Sequence, residues 1–213
     1  MAKILGSKCK LCRRSGEKLF LKGDRCATPK CAMIRKPYAP GIHGNKGAGR
    51  KKAMSEYGQQ LSQKQKVKKL YGISEKQLRK HFAEAKKSKG VLGDNLILRL
   101  ETRIDNVIYR LKLADSRAQA RQIISHKLLL LNGRSFNIPS AKVKVGDVLR
   151  VKEAKKENSY FKNLQAILKK NSEVPSWLSL DPTILEGKIL ANPSKDDVGV
   201  NFDVRGIIEF YSR

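Results

Sequence analysis

The chain has 213 residues, of which 46 are Lys or Arg and 19 are Asp or Glu, so its formal net charge is +27. A hydrophobic share of 40% is enough for a packed core and excludes wholesale disorder. So many like charges repel one another in a compact protein. This repulsion predicts a polyanionic partner, and nucleic acid is favoured over an anionic membrane. No apolar stretch approaches the roughly 20 residues of a membrane span. The first ten residues lack a signal-peptide core, so we expect a cytoplasmic protein with reduced thiols.

The positive charge is concentrated in the first three quarters of the chain. Residues 1–54 carry 15 basic and 2 acidic side chains, a net charge of +13. Residues 154–213 carry 9 basic and 8 acidic side chains, a net charge of +1. We therefore expect the anion-binding surface before residue 154, and a C-terminal quarter suited to packing or to a protein neighbour.

All four cysteines lie close together, as Cys9-x2-Cys12 and, further on, Cys26-x4-Cys31. Two short-spaced pairs joined by a loop are typical of a tetrahedral thiolate cage, and the spacing predicts one zinc ion per chain. An iron–sulfur cluster also takes four Cys ligands and stays open. A disulfide is disfavoured by the expected compartment, and a catalytic cysteine by the lack of a histidine base inside the cluster. The metal would staple an arm, residues 1–45, that has few apolar residues of its own.

A basic connector follows over residues 35–55, where two prolines and four glycines forbid a long helix or strand. Glycine lets the backbone approach a phosphate closely, and neighbouring cations can then hold the phosphate. Tyr38 and His43 can stack on unpaired bases. The alternative is a solubilising linker, although such linkers rarely combine this charge with an aromatic residue and paired prolines. The candidate RNA contacts of the arm and connector are Arg13, Arg14, Lys22, Arg35, Lys36, Tyr38, His43, Lys46, Arg50, Lys51 and Lys52.

Two helices are predicted next. The first covers residues 57–71, carries lysines on nearly every side and ends before Gly72. The second begins with Ser74 as N-cap and Gln77 completing a capping box. Its apolar face consists of Leu78, Phe82 and Ala85. The alternative is that both helices serve only to support the fold. We expect this for the apolar face, whereas we expect the lysines to contact phosphate. The candidate contacts are Lys64, Lys68 and Lys69.

An amphipathic helix is predicted over residues 95–113, with its apolar side chains within an arc of about 120°. Three arginines gather within about 40° of each other beside that arc, while Glu101 and Asp105 lie on another side. A further helix begins at Ser116 with a capping box closed by Gln119, and its N-terminus is an anion site. The arginines of the two helices are Arg99, Arg103, Arg110, Arg117 and Arg121.

Two hairpins are predicted after these helices. Asn132-Gly133 indicates a type I′ turn, and the alternating residues 142–152 around Gly146-Asp147 indicate a second hairpin. An α+β domain with solvated arginines is the alternative to RNA binding, but five arginines on neighbouring helix faces favour RNA. The further candidate contacts here are Ser116, Gln119, His126, Lys127, Asn132 and Arg134.

The order of these elements resembles a known family. The alpha-L RNA-binding module, named after ribosomal protein four of the small subunit, is similar to RLETRIDNVIYRLKLADSRAQARQIISHKLLLLNGR. Enzymes bear that module too, so the rest of the chain decides. The family's arm, helical region and tail resemble, in the same order, CKLCRR with KGDRCATPKCAMIRKPYAPGIHG, then SEYGQQLSQKQKVKKLYGISEKQLRKHF, then PSWLSLDPTILEGKILANPSKDDV with IIEFYSR. The resemblance, to the bacterial or organellar form of the family, covers essentially the whole chain.

The resemblance and the patterns together predict an α+β fold: a metal-stapled N-terminal arm, a helical domain, and an alpha-L module of helices packed on a small antiparallel sheet. The predicted domains are the arm, 1–45; a helical ribosomal-RNA-binding domain, 46–94, completed by part of the tail; the alpha-L module, 95–153; and a C-terminal helix and tail, 154–213, that packs on the body.

The family resemblance implies a structural protein and not an enzyme. Such a protein is a primary binder of small-subunit ribosomal RNA that nucleates assembly of the subunit body. The resemblance further implies a place in the small ribosomal subunit of the cytoplasm, beside ribosomal protein five of that subunit. Messenger RNA would enter nearby, so that the protein would contribute to decoding fidelity in translation.

The sequence disfavours two rival functions. An RNA-modifying or tRNA-related enzyme with an accessory alpha-L module needs a catalytic domain, but the 60 residues after residue 153 contain no histidine and no glycine-rich phosphate loop. Asp181, Asp196 and Asp197 are interpreted as turn and cap residues there. A zinc-dependent DNA-binding regulator lacks a helix-turn-helix or C2H2 pattern.

Overall fold

The computed structural model describes residues 6–44, 53–170, 173–199 and 202–213. The chain divides into two compact units, one of residues 1–93 with 201–213 and the other of residues 94–200. Four of the predicted RNA contacts lie outside the described residues: Lys46, Arg50, Lys51 and Lys52. Where the chain is described, no helix combines the length and the apolar character that crossing a membrane requires. The division of the sequence into four functional domains, 1–45, 46–94, 95–153 and 154–213, stays a prediction.

Helices make up most of the described residues, and five short strands form one sheet. The helices are α1 (Lys8–Ser15), α2 (Ala32–Arg35), α3 (Glu56–Tyr71), α4 (Glu75–Lys87), α5 (Leu92–Glu101), α6 (Ile104–Arg110), α7 (Arg117–Ser125), α8 (Glu153–Lys156), α9 (Ser159–Lys170), α10 (Lys195–Val198) and α11 (Val204–Ser212), with a 3-10 helix at Gly23–Cys26. The strands are β1 (Leu129–Leu131), β2 (Arg134–Ser135), β3 (Val148–Val151), β4 (Leu178–Asp181) and β5 (Glu186–Ile189).

The two helices predicted in the first unit are confirmed together with their ends. α3 stops at Gly72, whose φ of 60° is left-handed and therefore costs glycine nothing. The backbone N–H of Gln77 donates to Ser74 Oγ at 3.3 Å, and the N–H of Ser74 donates to Gln77 Oε1 at 3.0 Å, so the capping box of α4 is complete.

Aromatic side chains pair with one another in the first unit. The rings of Tyr71 and Phe202 meet edge to face at 6.3 Å, and those of Phe82 and Tyr211 lie 4.9 Å apart. Such pairs each add about 0.5–1.5 kcal/mol beyond the area that they bury. α11 thereby closes the core of the unit to which α3 and α4 belong. Other buried apolar side chains of the unit include Val67, Ile73, Leu78, Ala85 and Ile207.

The single helix predicted over residues 95–113 is wrong, because the chain leaves the helical path between α5 and α6. Arg103 has extended backbone angles, φ −69° and ψ 134°, and forms an isolated antiparallel bridge with Lys142. The N–H of Ile104 donates to the carbonyl of Ala141 at 2.9 Å. The apolar period continues on both sides of the break, so hydrophobic patterning alone could not reveal it.

The sheet of the second unit is antiparallel throughout, with strand order β2-β1-β3-β5-β4. The predicted type I′ hairpin is confirmed, since Asn132 and Gly133 have φ of 49° and 78° and Leu131 pairs with Arg134. The second predicted hairpin, over residues 142–152, is wrong. β3 pairs instead with β1 and with β5, and the N–H of Gly146 donates to the carbonyl of Ile189 at 2.9 Å.

Helices and sheet of the second unit enclose one core. Trp177 and Phe161 are among its largest side chains, and Leu111 lies against β5. A Cβ on Gly187 would stand 2.5 Å from Leu111 Cδ1, so the Leu111 side chain, directly after α6, lies closer to β5 than any side chain at position 187 would allow. An α+β fold with a small antiparallel sheet is therefore confirmed.

Candidate nucleic-acid interface

The four cysteines do not form the predicted metal site. Cys12 is buried, and this burial raises the pKa of its thiol, as do the neighbouring thiols of Cys26, Cys9 and Cys31 against one opposing backbone hydrogen bond. Within the described ranges, no group of three or more His, Cys, Asp or Glu side chains is placed to hold a metal ion. The predicted zinc ion, the metal-stapled arm and the iron–sulfur alternative are therefore wrong.

The free thiols serve as small apolar groups instead. Cys12, Cys26 and Cys31 are buried, as is Leu19, and buried cysteine packs as a small hydrophobe. The cysteine spacing led to a wrong prediction of a metal site, because short spacings only bring the cysteines close together along the chain. They do not determine the geometry of four sulfurs around one ion.

Within the arm, the side chain of Arg13 on α1 also contacts the chain that follows α2. Arg13 Nε donates to the carbonyl of Tyr38 at 2.8 Å, and a terminal nitrogen donates to the carbonyl of Ala39 at 3.2 Å. The Arg13 guanidinium also lies 4.8 Å from the centre of the Tyr38 ring. These two predicted RNA contacts therefore hold each other in place, which presents the tyrosine as a fixed aromatic surface.

Positive charges meet where α1 approaches α3. Lys69 Nζ donates to Ser15 Oγ at 3.1 Å. Burial lowers the pKa of Lys69, and the charge of Arg14 lowers it further. The negative charge of Glu17, whose carboxylate lies 2.7 Å from Lys66 Nζ, opposes this lowering of the pKa only in part. The exposed predicted contacts of the described arm are Arg14, Lys22, Arg35, Lys36 and His43.

Lys64 is not available for RNA, which corrects its assignment. Its side chain is 8% exposed and its Nζ lies 3.2 Å from Glu75 Oε1 and 4.0 Å from the centre of the Phe210 ring. Lys68 Nζ lies 3.0 Å from the other oxygen of Glu75. α4 and α11 thus provide partners for the lysines on that side of α3, and tertiary packing of this kind cannot be seen in a helical pattern.

A buried ion cluster lies where α6 meets α7. Asp105 accepts hydrogen bonds from Arg103 at 3.1 and 2.8 Å and from Arg121 Nε at 2.7 Å. The side chains of Arg103 and Asp105 are both 2% exposed. Arg103 is therefore a structural residue and not an RNA contact, because the break before α6 turns it inward.

A second buried carboxylate orders the neighbouring arginine. Glu101 accepts from Arg110 at 3.0 and 3.2 Å, and Arg110 also donates to the carbonyl of Val198 at 3.0 Å. The amide nitrogen of Asn106 donates to the Glu101 backbone carbonyl at 3.0 Å and to Oε2 at 2.7 Å. The expectation that Glu101 and Asp105 lie away from the arginines is thus wrong.

Arg117 is held by two side chains of α6. Its Nε donates to Asn106 Oδ1 at 2.8 Å, and its guanidinium lies 4.5 Å from the centre of the Tyr109 ring. The cluster contains two carboxylates and four arginines, which leaves a formal excess of two positive charges.

α7 begins with half of the predicted capping box. The N–H of Gln119 donates to Ser116 Oγ at 3.3 Å, whereas Gln119 Oε1 accepts from the N–H of Asp115 at 2.9 Å. Beyond α7, three predicted contacts are exposed: His126, Lys127 and Arg134.

Two further predicted contacts are Asn132, which forms hydrogen bonds within the protein, and Arg99, which is half-buried. Asn132 is exposed but joins two turns, since it donates to Asp147 Oδ1 and accepts from the N–H of Val148, both at 2.8 Å. Arg99 is half-buried, and burial lowers the pKa of its guanidinium.

Three residues that organise this surface were not predicted from the sequence to do so: Asp105, Asn106 and Tyr109. The available signal was the pair of adjacent polar residues Asp105 and Asn106 within an otherwise apolar stretch. A polar side chain at a buried helical position requires a partner, and the nearby arginines are the obvious donors.

Comparisons with known proteins cover the whole chain. The family model for the Ribosomal protein S4/S9 N-terminal domain matches residues 3–101, and the model for the S4 domain matches residues 102–149. The chain is 49% identical over 213 residues to small ribosomal subunit protein uS4 of Heliobacterium modesticaldum. It is 48% identical over 213 residues to the proteins of the same name from Caldicellulosiruptor bescii and Solidesulfovibrio magneticus. Each alignment spans all of this chain and all of the relative, and none of these names includes a metal.

Proposed function

The chain belongs to the small ribosomal subunit protein uS4 family, and we propose on this basis that it is a structural component of the small ribosomal subunit that binds the subunit's ribosomal RNA. The family is one of structural proteins and not of enzymes. The observation that carries the proposal is the match to the relatives over the full length of both chains. The net charge of +27 supplies the physical reason for an RNA partner.

The proposed binding mechanism is neutralisation of phosphates by two fixed sets of cations. In the first unit the set follows α1 and its junction with α3, and in the second it follows α7 and the β1–β2 hairpin. Most contacts should reach phosphate and sugar, so that the protein reads the shape of folded RNA more than its sequence. The proposed contacts among the described residues are Arg13, Arg14, Lys22, Arg35, Lys36, Tyr38, His43, Lys68, Lys69, Arg99, Arg110, Ser116, Arg117, Gln119, Arg121, His126, Lys127, Asn132 and Arg134.

We also propose a finer role, which the family and the distribution of charge support. The protein is a primary RNA binder that nucleates assembly of the subunit body in the cytoplasm. It lies beside ribosomal protein five of the small subunit, where messenger RNA enters, and contributes to decoding fidelity. The net charge of +1 over residues 154–213 supports a protein neighbour on the C-terminal part of the chain.

Chemical footprinting of small-subunit ribosomal RNA, with and without the protein, tests the proposal. A compact protected region where several RNA helices meet is expected, and excess duplex DNA should not remove the protection. Protection scattered evenly along the RNA, or lost to the DNA competitor, would show that the charge alone attracts nucleic acid without recognition of a folded site.

A further inference from the structure

The four arginines of the buried ion cluster differ in the group that accepts the hydrogen bond from their Nε atoms. The Nε of Arg103 and that of Arg121 donate to Asp105, and the Nε of Arg110 donates to Glu101. Each of these hydrogen bonds therefore joins the arginine to a carboxylate. Arg117 differs, because its Nε donates to the neutral amide oxygen of Asn106 at 2.8 Å.

The amide of Asn106 has only one orientation that satisfies its neighbours. Its nitrogen donates to Glu101 through two contacts, 3.0 Å to the backbone carbonyl and 2.7 Å to Oε2. The amide oxygen must then point the other way, where it accepts from Arg117. Asn106 has no solvent exposure, so water does not compete for either end of the amide.

The guanidinium of Arg117 also lies over the ring of Tyr109. The ring centre lies 4.5 Å from the central carbon of the Arg117 guanidinium. Asn106 and Tyr109 are three residues apart and therefore project from neighbouring positions on one helix. A planar cation that is stacked on a ring and bonded through Nε has lost most of its rotamer freedom before any ligand arrives.

We infer that Asn106 and Tyr109 are positioning residues, which hold the Arg117 guanidinium in place as a phosphate-binding group. The inference rests on the proposed function and deepens it, since it names the residues that prepare one contact with the RNA backbone. An aspartate at position 106 would also accept from Arg117, but it would cancel the charge that attracts a phosphate and would place a second carboxylate against Glu101.

A double-mutant cycle on RNA affinity tests this inference with the full chain and small-subunit ribosomal RNA. Arg117→Ala should weaken binding about tenfold. Asn106→Ala should weaken binding several-fold in the otherwise unchanged protein, yet have no further effect in the Arg117→Ala background. A purely structural role of Asn106 would give the same loss in both backgrounds, and that result would overturn the inference.

Two further variants keep the test decisive. Tyr109→Leu removes the ring from a part-exposed position, so it serves if Asn106→Ala does not fold, and its effect should likewise vanish in the Arg117→Ala background. Tyr160→Phe is the matched control, because it removes a 3.0 Å hydrogen bond to the Leu113 carbonyl in the same unit. The control should leave the RNA affinity unchanged when all variants are folded, as judged by circular dichroism.

The remaining outcomes separate this inference from the proposed function. If Arg117→Ala, or both Asn106→Ala and Tyr109→Leu, leave a normal affinity, the positioning role is wrong while RNA binding stands. If the unchanged protein itself fails to bind the RNA, the proposed function fails and the positioning role fails with it.

Discussion

Arg121 Nε lies 2.7 Å from Oδ2 of Asp105, a carboxylate that also accepts two hydrogen bonds from Arg103. One buried anion thus holds two cations, of which Arg103 is buried and Arg121 reaches the surface. The carboxylate is therefore central to the stability of the second unit and also to the placement of a surface charge.

Asp105→Ala should destabilise the second unit by about 3–5 kcal/mol, because it leaves the buried Arg103 charge without its carboxylate. Arg121→Ala should cost far less, since Arg103 continues to satisfy Asp105. Chemical denaturation of both variants, followed by circular dichroism, measures the difference. Equal losses for the two substitutions would mean that the Arg103–Asp105 pair is not the dominant interaction.

Gly187→Ala should destabilise the same unit by about 1–3 kcal/mol, because a new methyl group would overlap the buried side chain of Leu111. Leu111→Ala alone should also destabilise, by leaving a cavity. The combined variant should lose less than the sum of the two single losses, since each change makes room for the other. Additive losses in denaturation experiments would contradict the close packing of Leu111 against β5.

Local sequence signals predicted the parts of the fold that local chemistry decides. Ser74 with Gln77 and Asn132 with Gly133 determine a helix start and a turn through contacts a few residues apart, so both predictions are confirmed. The break at Arg103 depends on the distant residue Lys142, and β5 pairs with β3 across more than thirty residues. Neither feature leaves a mark in the periodicity of the sequence.

The candidate surface was predictable in part for the same reason. The charge pattern located the basic segments, but it could not show which cations meet a carboxylate inside the fold. Lys64 and Arg103 read as surface cations because their partners, Glu75 and Asp105, lie in a packing arrangement that the pattern does not contain. The cysteine spacing likewise indicated proximity without giving the geometry that a metal requires.

Glu75→Gln should flatten the acid dependence of stability in the first unit. Burial alone would raise the pKa of Glu75, but hydrogen bonds from Tyr211, Lys68 and Lys64 outweigh it and lower the pKa. This stabilisation is fully present above the ordinary value of 4.5 and is lost as the pH falls through the lower folded value.

Unfolding free energies measured from neutral pH down through this range test that prediction. The unchanged protein should lose stability below about pH 4.5 more steeply than Glu75→Gln does. Glu56→Gln is the matched control, since it removes an equal charge from a side chain that is 77% exposed. An unchanged slope in Glu75→Gln would mean that Glu75 contributes nothing to the acid sensitivity.

Replacing Lys127 and Arg134 together by alanine should weaken binding to small-subunit ribosomal RNA and leave stability within about 0.5 kcal/mol. Both side chains are exposed, so the substitutions remove phosphate contacts without disturbing the core. The slope of log affinity against log salt should fall by about two. Lys162→Ala with Lys169→Ala is the control, because it removes the same charge from exposed positions of α9. A similar change in the control variant would show that net charge matters and position does not.

The affinity for folded small-subunit ribosomal RNA, measured as a function of salt concentration, tests the central claim most directly. If the fixed cations neutralise about 6–10 phosphates, the affinity should fall by about 10³–10⁵ between 50 and 200 mM salt, linearly on logarithmic axes. Weak binding at low salt with an almost flat dependence would contradict the claim that this protein recognises RNA through its arranged positive charges.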